Sequence, residues 1–438
     1  MPAPQPQHGP SASRAPGAPV FASGLSGNPD SVVAARQASH AAADALSARA
    51  VAHADLAILF VSAHHAGSME RVAEAVRAEI APRHLIAVSA EGVLAGATEL
   101  ERAPGIAVLG ASLPGVEVEP FDGSRVRGVE PEDDAGVREL AAAIGIDQPD
   151  AAGSLLFLDP FSVPTVKLLP ALNAARKAFA PGAPLIGGVA SAGRAPGQNA
   201  LVLDDRTRRD GLVGVTFRGP VRIDTVVSQG CRPVGHNMVI TKARKNLLLE
   251  LGGRPALQAV REAVSDATEH EREQLSKGLF LGLVIDEYKE RFGRGDYLIR
   301  NIIGADENHG ALAVADLVRV GQTVRLHTRD AQTADEDLAL LLDGQTIHGP
   351  PAGALLITCN SRGTRLFDRP NHDAEAVARA FSPARAGSDL AKGGKPIAPP
   401  EPSVPLAGFF AGGEIGPVGK ASHLHGHTAC LALFRTKA

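Results

Sequence analysis

The sequence predicts a mixed α/β protein of two related halves, each built from mixed β-sheets with flanking helices. Short apolar runs rich in β-branched residues are typical of buried strands, and stretches with apolar residues at helical spacing lie between them. These elements recur in one order, which is strand, helix, strand, glycine-bearing turn and strand. Aromatic residues make up only 4% of a chain that is 44% hydrophobic, so Ala, Val, Leu and Ile must fill its cores.

The first copy of this unit begins with the strand DLAILFV (55–61) and continues into the helix SMERVAEAVRAEIA (68–81). The strand HLIAVSA (84–90) follows, and after the turn EGVLAG the extended run PGIAVLGASL (104–113) completes the unit. Two later segments repeat this order and predict further copies. The second contains GSLLFLD (153–159), PTVKLLPALNAARKAFA (164–180) and PLIGGVA (184–190), and the third contains GALLITC (353–359), DAEAVARAF (373–381) and VPLAGFFA (404–411).

A weaker fourth copy is predicted at GLFLGLVID (278–286), so that each half would hold two units. The change of half falls near SQGCRPVG (228–235). We therefore predict a disordered Pro/Ala/Gly-rich tail over 1–45, a first domain over 46–230 and a second over 231–438. The Pro/Gly/Ala-rich insertion at 382–403 is predicted to be a surface loop.

Composition excludes several classes of function. Net charge is −4 with Lys and Arg dispersed, so no basic face for nucleic acid is expected. No run of 18 apolar residues predicts a membrane span, and the N-terminus lacks the pattern of a signal peptide. The three cysteines, Cys231, Cys359 and Cys430, form no CxxC pair, which argues against a disulfide framework. These features predict a cytoplasmic protein.

Several motifs resemble the FIST family, named for F-box and intracellular signal transduction. DLAILFVSAHH, LIAVSAEGVLAGATELE and LIGGVASAG resemble the FIST N-terminal domain. ELGGRPAL, GLFLGL, GDYLIRNIIG, CNSRGTRLF and GFFAGGEIGPVG followed by LHGHTA resemble the FIST C-terminal domain in the family order. The resemblance covers residues 50 to 436. It implies a sensory module that binds small molecules, with amino acids the favoured ligands. The chain shows neither an F-box-like stretch nor an output domain, so a separate signalling partner is expected.

Candidate ligand-binding residues lie where strands end at glycine turns. Arg362, followed by Gly363, ends the CNSRG motif and could clamp a carboxylate, or it could form a buried ion pair that holds the turn. Arg300 lies in the apolar run YLIRNII, where it needs a partner, and Glu414 in the glycine turn GGEIGPVGK is one. Gly416 belongs to the same turn, and Glu91 occupies a similar place in the first copy.

Cys359 ends an apolar strand and is also a candidate. With a histidine as base it could act as a nucleophile, which makes a cysteine-dependent hydrolase or transferase an alternative function. The local signatures of known cysteine hydrolases are absent, and a buried inert thiol is the commoner state. A protein-interaction scaffold without a small ligand is a third alternative. GGEIGPVGK does not match the spacing of a phosphate-binding loop, and no cofactor is expected.

Three histidines alternate near the C-terminus, at His423, His425 and His427. On a regular strand they would share a face and could ligate zinc, but Gly426 indicates a bend. The family resemblance covers His425 and places an aromatic residue where His427 stands. We therefore predict that His425 contributes to a ligand site, that His423 and His427 are incidental, and that no metal is bound.

Overall fold

The computed structural model of the chain describes residues 17–123, 126, 130–382 and 404–437. Three sheets of six strands share one strand order, and they divide most of the chain into three related units. Unit 1 contains β1 (Val20–Ser26), α1 (Ser31–Ser47), β2 (Leu56–Ser62), α2 (Met69–Ile80), β3 (His84–Ala90), β4 (Gly92–Ala95), β5 (Thr98–Glu101) and β6 (Ile106–Ser112). Unit 2 contains β7 (Glu117–Asp122), α3 (Asp134–Ala143), β8 (Ala151–Leu158), α4 (Thr165–Phe179), β9 (Leu185–Val189), β10 (Leu201–Leu203), β11 (Arg206–Arg208) and β12 (Leu212–Arg218).

Unit 3 is interrupted by an inserted domain. Its first strand is β13 (Val221–Gln229). The insertion contains β14 (Cys231–Arg244), β15 (Leu247–Leu251), β16 (Arg254–Pro255), α5 (Ala256–Ser265), α6 (Glu269–Lys277), β17 (Leu279–Val284), β18 (Tyr297–Asp306), β19 (Ala311–Val314) and β20 (Thr323–Arg329). Unit 3 then resumes with α7 (Ala331–Thr346), β21 (Gly353–Cys359), α8 (His372–Ala380), β22 (Leu406–Ala411), β23 (Glu414–Val418), β24 (Ala421–His425) and β25 (Thr428–Thr436).

In each sheet the first and last strands of one unit lie next to each other, and the last strand also pairs with one member of a parallel pair. The parallel pairs are β2 with β3, β8 with β9, and β21 with β22, and a helix joins the strands of each pair. Helices cover the outer face of each sheet, as parallel strands require. The mixed α/β class and the strands and helices of the three copies are confirmed.

The hairpin of each unit completes the sheet of another unit. Hairpin β4–β5 of unit 1 pairs with β22 of unit 3, hairpin β10–β11 of unit 2 pairs with β3 of unit 1, and hairpin β23–β24 of unit 3 pairs with β9 of unit 2. These exchanges form a closed cycle, so no unit completes its own sheet. The predicted division at residue 230 falls between β13 and β14, and it cuts through unit 3.

The inner faces of the three sheets share one apolar core. At its centre, Phe60 of unit 1 lies 5.9 Å from Phe157 of unit 2 and 5.4 Å from Phe409 of unit 3, between ring centroids. The rings of Phe157 and Phe409 are 5.5 Å apart and nearly perpendicular. Edge-to-face contacts of this kind add to the burial of apolar surface. Three of the few aromatic side chains therefore join all three units.

The inserted domain is a ring of antiparallel strands. β14 pairs with both β20 and β15, which closes the order β14, β20, β17, β18, β19 and β15. The buried face of α5 packs into its core. The predicted fourth copy is wrong, because β17 pairs antiparallel with β18 and no α-helix joins them.

The predicted disordered tail is also wrong where the structure describes it. β1 pairs with β6, and Asp30 caps α1 by accepting the N–H groups of Val32 and Val33. Four alanines of α1 recur at helical spacing and are fully buried, namely Ala34, Ala35, Ala38 and Ala42, so a composition typical of disorder here forms a close-packing helix. Residues 1–16 of that prediction, and 383–403 of the predicted surface loop, lie outside the described residues.

Substitution of Gly24 by Ala tests the packing of this segment. A Cβ at Gly24 would lie 1.9 Å from the backbone oxygen of Ala38 in α1, so the helix must move away from β1. We expect a loss of about 2 kcal/mol or more in the free energy of unfolding, measured by urea titration. Gly67→Ala is the control, because a Cβ there meets nothing within 4 Å. Equal stabilities of the two variants would show that β1 and α1 do not pack as described.

Candidate functional site

The candidate site is built around residues 360–365, which we call the unit 3 loop. It begins directly after β21 and approaches the exchanged hairpin of unit 1 on one side and the inserted ring on the other. Gly363 adopts a positive φ of +56°, and a Cβ there would lie 2.5 Å from the carboxylate of Glu101. The backbone N–H of Thr364 donates to both oxygens of Glu101 at 3.0 Å, and its hydroxyl donates at 2.8 Å. Glycine is therefore required where the hairpin meets the loop.

Arg362 lies in the middle of this loop and is fully buried. Its Nε and Nη2 donate to the two carboxylate oxygens of Asp373 at 2.8 Å each. Burial alone would raise the pKa of Asp373, but the charge and hydrogen bonds of Arg362 outweigh burial and hold that pKa well below its ordinary value. The structure thus shows the buried ion pair that holds the turn, while Nη1 of Arg362 has no hydrogen-bond partner among the described residues.

Arg300 is not part of this cluster. Its Nε donates to Asp316 at 2.5 Å, within the inserted ring. The predicted pairing of Arg300 with Glu414 is wrong, because the turn between β18 and β19 brings Asp316 back beside Arg300. The two charges of that pair belong to one domain and do not bridge to the glycine turn.

Glu414 begins β23 and is fully buried. Its Oε2 accepts hydrogen bonds from the hydroxyl of Thr428 at 2.7 Å and from its backbone N–H at 3.2 Å. Its Oε1 has no partner in the described part of the chain. Burial raises the pKa of Glu414 to about 8, so the carboxyl group is largely neutral at pH 7.

Glu99 is a second buried acid, on the exchanged hairpin. It accepts the backbone N–H of Ala374, in the first turn of α8, at 2.9 Å. Burial, with the nearby charge of Asp373, raises the pKa of Glu99 to about 8. No local pattern in the sequence marks Glu99, because only the exchange of hairpins brings it to unit 3.

Cys359 ends β21 and is buried, as are Cys231 and Cys430. Burial, with the nearby carboxyl of Glu414, raises the pKa of the Cys359 thiol to about 12. A thiol that stays protonated at neutral pH is a poor nucleophile. The environment of Cys359 therefore does not favour the cysteine-dependent enzyme alternative.

The three histidines take different roles. His425 is buried, its Nε2 bonds the backbone oxygen of Gly416 at 2.9 Å, and burial lowers its pKa to about 3. A Cβ at Gly416 would lie 2.8 Å from Val227 and 3.0 Å from Cys430, so glycine is required by space. His425 and Gly416 thus hold the third hairpin together. Among the described residues, no group of three His, Cys, Asp or Glu side chains could hold a metal ion.

His427, predicted to be incidental, contacts the unit 3 loop instead. Its Nδ1 lies 2.8 Å from the hydroxyl oxygen of Ser361, and its Nε2 lies 3.1 Å from Oδ1 of Asn301 on the inserted ring. His427 follows Gly426 with a φ of +64°, and this bend separates its side chain from the line of His423 and His425. No sequence signal could connect these three residues, because 66 and 126 positions separate His427 from its partners.

Glu91 meets an arginine that sequence analysis did not single out. Arg365 donates to both oxygens of Glu91, at 2.5 Å and 3.2 Å, and also to the backbone oxygen of Asn360 at 2.6 Å. The side chains of Arg365 and Glu91 are 38% and 24% exposed. This ion pair joins the exchanged hairpin of unit 1 to the unit 3 loop at the surface. A depression of about 10 Å³ lies beside it, with Glu101, Arg102, Asn360 and Phe410 in its wall.

The FIST N domain model matches residues 55–254 and the FIST C domain model matches residues 256–417. The chain belongs to the FIST family. FIST domains are sensory domains of signal transduction, and the resemblance seen in the sequence is confirmed. The matched ranges divide inside the inserted ring, between β16 and α5, whereas the sheet of unit 3 in this FIST protein contains strands from both sides of that division.

The chain is similar to mycobacterial proteins over most of its length. An uncharacterized protein of Mycobacterium tuberculosis is 39% identical over 401 residues, which cover 91% of this chain and 96% of the relative. An uncharacterized protein of Mycobacterium bovis is 37% identical over 413 residues, covering 94% and 97%. A cyanuric acid hydrolase from A. caulinodans matches 48% of this chain and 72% of its own at 12% identity, with a TM-score of 0.24. That likeness is too slight to support a statement about fold or function. Among the helices that the structure describes, none is long and apolar enough to span a membrane.

Substitution of the buried acids by glutamine should change how stability depends on pH. Glu99 and Glu414 have raised pKa values of about 8, so the folded state binds protons that the unfolded state releases. Their contribution is fully present below the unfolded pKa and is lost as pH rises toward 8. We expect the free energy of unfolding of the wild type to fall by about 1–2 kcal/mol for each group between pH 6.5 and 8, and the slope to flatten in Glu99→Gln/Glu414→Gln.

Urea unfolding at pH 6.5, 7.25 and 8 measures this slope. The buried histidines stay neutral in the folded state across this window. In the unfolded state they release protons as pH rises from 6.5, which adds the same rise in stability to the wild type and the double variant, so the difference between the two slopes reports the two acids. Glu307→Gln, at a side chain that is 71% exposed, is the control and should keep the wild-type slope. A double variant with an unchanged slope would mean that neither acid is protonated in the native state at neutral pH.

Thiol accessibility provides an independent test of the enzyme alternative. Because all three thiols are buried and their pKa values are raised, we expect no reaction with an aromatic disulfide reagent at pH 7.5 within minutes in the native protein. Unfolding in guanidinium chloride should expose three reactive thiols per chain. Fast labelling of Cys359 in the native protein, absent in Cys359→Ser, would favour a reactive cysteine.

Proposed function

We propose that this FIST protein is a sensor for a small zwitterionic metabolite, such as an amino acid, which binds at the Glu91–Arg365 ion pair. The observation that carries the proposal is the pair itself, which is partly exposed and joins two units. Arg365 would bind the carboxylate of the ligand and Glu91 its ammonium group. The sensory role of FIST domains supports the class of function, and the charges of this ion pair support a zwitterionic ligand.

The charges of the pair are complementary to a zwitterion. An arginine fork and a carboxylate lie side by side, and an α-amino acid presents the opposite two charges at similar spacing. Glu101 and Arg102 extend the same alternation of charge along the depression. An exposed ion pair contributes about 0–1 kcal/mol to stability. Breaking the contact between Arg365 and Glu91 so that each side chain can bind a charged group of the ligand therefore costs little.

The depression is so small that ligand binding requires a conformational change of the protein. A volume of about 10 Å³ holds about one water molecule, so a ligand has to separate Arg365 from Glu91 before it can enter. That separation would shift the exchanged hairpin of unit 1 relative to the unit 3 loop. A movement between two units could then be transmitted to a separate output protein, because the ligand favours one of two arrangements.

Thermal unfolding with added ligands tests the proposal. We expect at least one of the 20 amino acids or a related amino carboxylate at millimolar concentration to raise the Tm of the wild type, because a ligand bound only by the native state stabilises it by mass action. Arg365→Met and Glu91→Gln should each abolish the shift. Isothermal titration calorimetry with the responding ligand should show at least a tenfold loss of affinity in each variant.

Arg369→Met is the matched control. Arg369 donates to Glu375 at 3.2 Å and its side chain is 49% exposed, but it lies outside the depression. Its ligand response should equal that of the wild type. The proposal fails if no amino acid shifts the Tm, or if a shift survives in Arg365→Met and Glu91→Gln.

A further inference from the structure

Ser361, His427 and Asn301 form a chain of hydrogen bonds that the proposed sensor site does not use. The three residues come from the unit 3 loop, from the turn before β25 and from β18 of the inserted ring. The hydroxyl oxygen of Ser361 lies 2.8 Å from Nδ1 of His427, and Nε2 of His427 lies 3.1 Å from Oδ1 of Asn301. A hydroxyl bonded to an imidazole whose second nitrogen is held by an oxygen is the arrangement of an activated nucleophile.

We propose that Ser361 is a nucleophile for small acyl esters, with His427 as its general base and Asn301 as the positioning residue. The amide oxygen of Asn301 accepts the proton of Nε2, which leaves the lone pair of Nδ1 free to accept from Ser361. The hydroxyl of Ser361 also lies 3.0 Å from the sulfur of Cys359. A thiol sulfur is a weak acceptor, so the single hydroxyl proton is directed to the imidazole.

The surroundings keep the imidazole of His427 neutral and able to accept a proton, while the same positive charges oppose the imidazolium that forms once the proton is accepted. Burial, with the positive charges of Arg329 and Arg362, lowers the pKa of His427 to about 4, so its imidazole is neutral at pH 7. Arg329 also donates to the backbone oxygen of Ser361. The oxyanion develops on the carbonyl oxygen of the ester, and the positive charge of Arg329 at the unit 3 loop would favour it. The ring of Phe280, 4.3 Å from that of His427, provides an apolar neighbour for the acyl group.

The backbone of His427 supports this interpretation. Its φ of +64° is uncommon for a residue other than glycine, and such conformations persist where the surrounding structure holds them. The backbone oxygen of His427 accepts the N–H of Gly230 at 3.0 Å, next to the start of the inserted ring. Ser361 and His427 are each only partly buried, so part of each residue lies at the surface.

The reaction balances with water as the second substrate. Oγ of Ser361 attacks the carbonyl carbon and forms a C–O bond while its proton moves to Nδ1 of His427. The bond to the alcohol oxygen breaks, and that oxygen takes the proton from Nδ1. Water then attacks the acyl-serine, passes a proton to Nδ1 and releases the acid, and the same proton returns to Oγ.

Labelling of the full chain with a fluorophosphonate, followed by peptide mass spectrometry, tests the proposal. We expect Ser361 to be labelled at pH 7.5 and p-nitrophenyl acetate to be hydrolysed. Ser361→Ala should abolish both, and His427→Phe should reduce both by about 100-fold, as expected for loss of a general base. Ser162→Ala is the control, because its hydroxyl donates to Asp159 at 2.7 Å and has no imidazole partner, so activity should be unchanged.

The pH dependence separates a catalytic role from a structural one. His427 is faced by Arg329 at the end of β20, by Arg362 and Cys359 of unit 3, and by the uncharged Asn301 and Phe280 of the ring. Asn301→Asp adds a negative charge beside Nε2, so the acid limb of the labelling rate should move to higher pH by about one unit. An unlabelled Ser361 in the wild type would overturn the proposal without recourse to any variant, and so would an acid limb that stays in place in folded Asn301→Asp.

Discussion

The buried ion pair between Arg362 and Asp373 determines the conformation of the unit 3 loop, on which both proposed sites depend. Its two parallel hydrogen bonds, at 2.8 Å each, hold a loop that also contains Ser361, Thr364 and Arg365. Removing one member of a buried pair costs about 3–5 kcal/mol, because the other charge is left without a partner in a desolvated site. Asp373 in turn accepts the hydroxyl of Thr358 at 2.7 Å, so β21 and α8 are tied to the same carboxylate.

The cyclic exchange of hairpins explains why the loop lies where charges from distant segments converge. Hairpin β4–β5 belongs to unit 1 by sequence and to the sheet of unit 3 by hydrogen bonding. It brings Glu91, Glu99 and Glu101 to Arg365, to the N-terminal turn of α8 and to Thr364. A movement of this hairpin would therefore alter contacts between two units at once, which is a property that a sensory domain requires.

Among the sequence-predicted site residues, Glu91, Cys359, Arg362 and Gly363 belong to this region, and most of the predicted polar side chains are occupied by partners within the chain. Arg362 binds Asp373, His425 bonds the backbone of Gly416, and Glu414 accepts from Thr428. Polar groups at such buried positions must be paired, and pairing within the fold explains their residue types without a ligand. Arg365 and Glu91 differ because their pair is partly exposed.

The sequence by itself determined the strands, the helices and the mixed α/β class, because periodicity and glycine turns are local properties. It also indicated that Glu91, Arg362 and Glu414 lie at strand ends. Tertiary structure alone decided the exchange of hairpins, the folding of the N-terminal segment into β1 and α1, and the partners of each polar side chain. Register and exchange depend on packing between segments more than 200 residues apart, such as Glu101 with Thr364, and no local pattern records that distance. For the same reason the sequence pattern predicted His427 to be incidental, whereas in the folded chain it contacts Ser361 and Asn301.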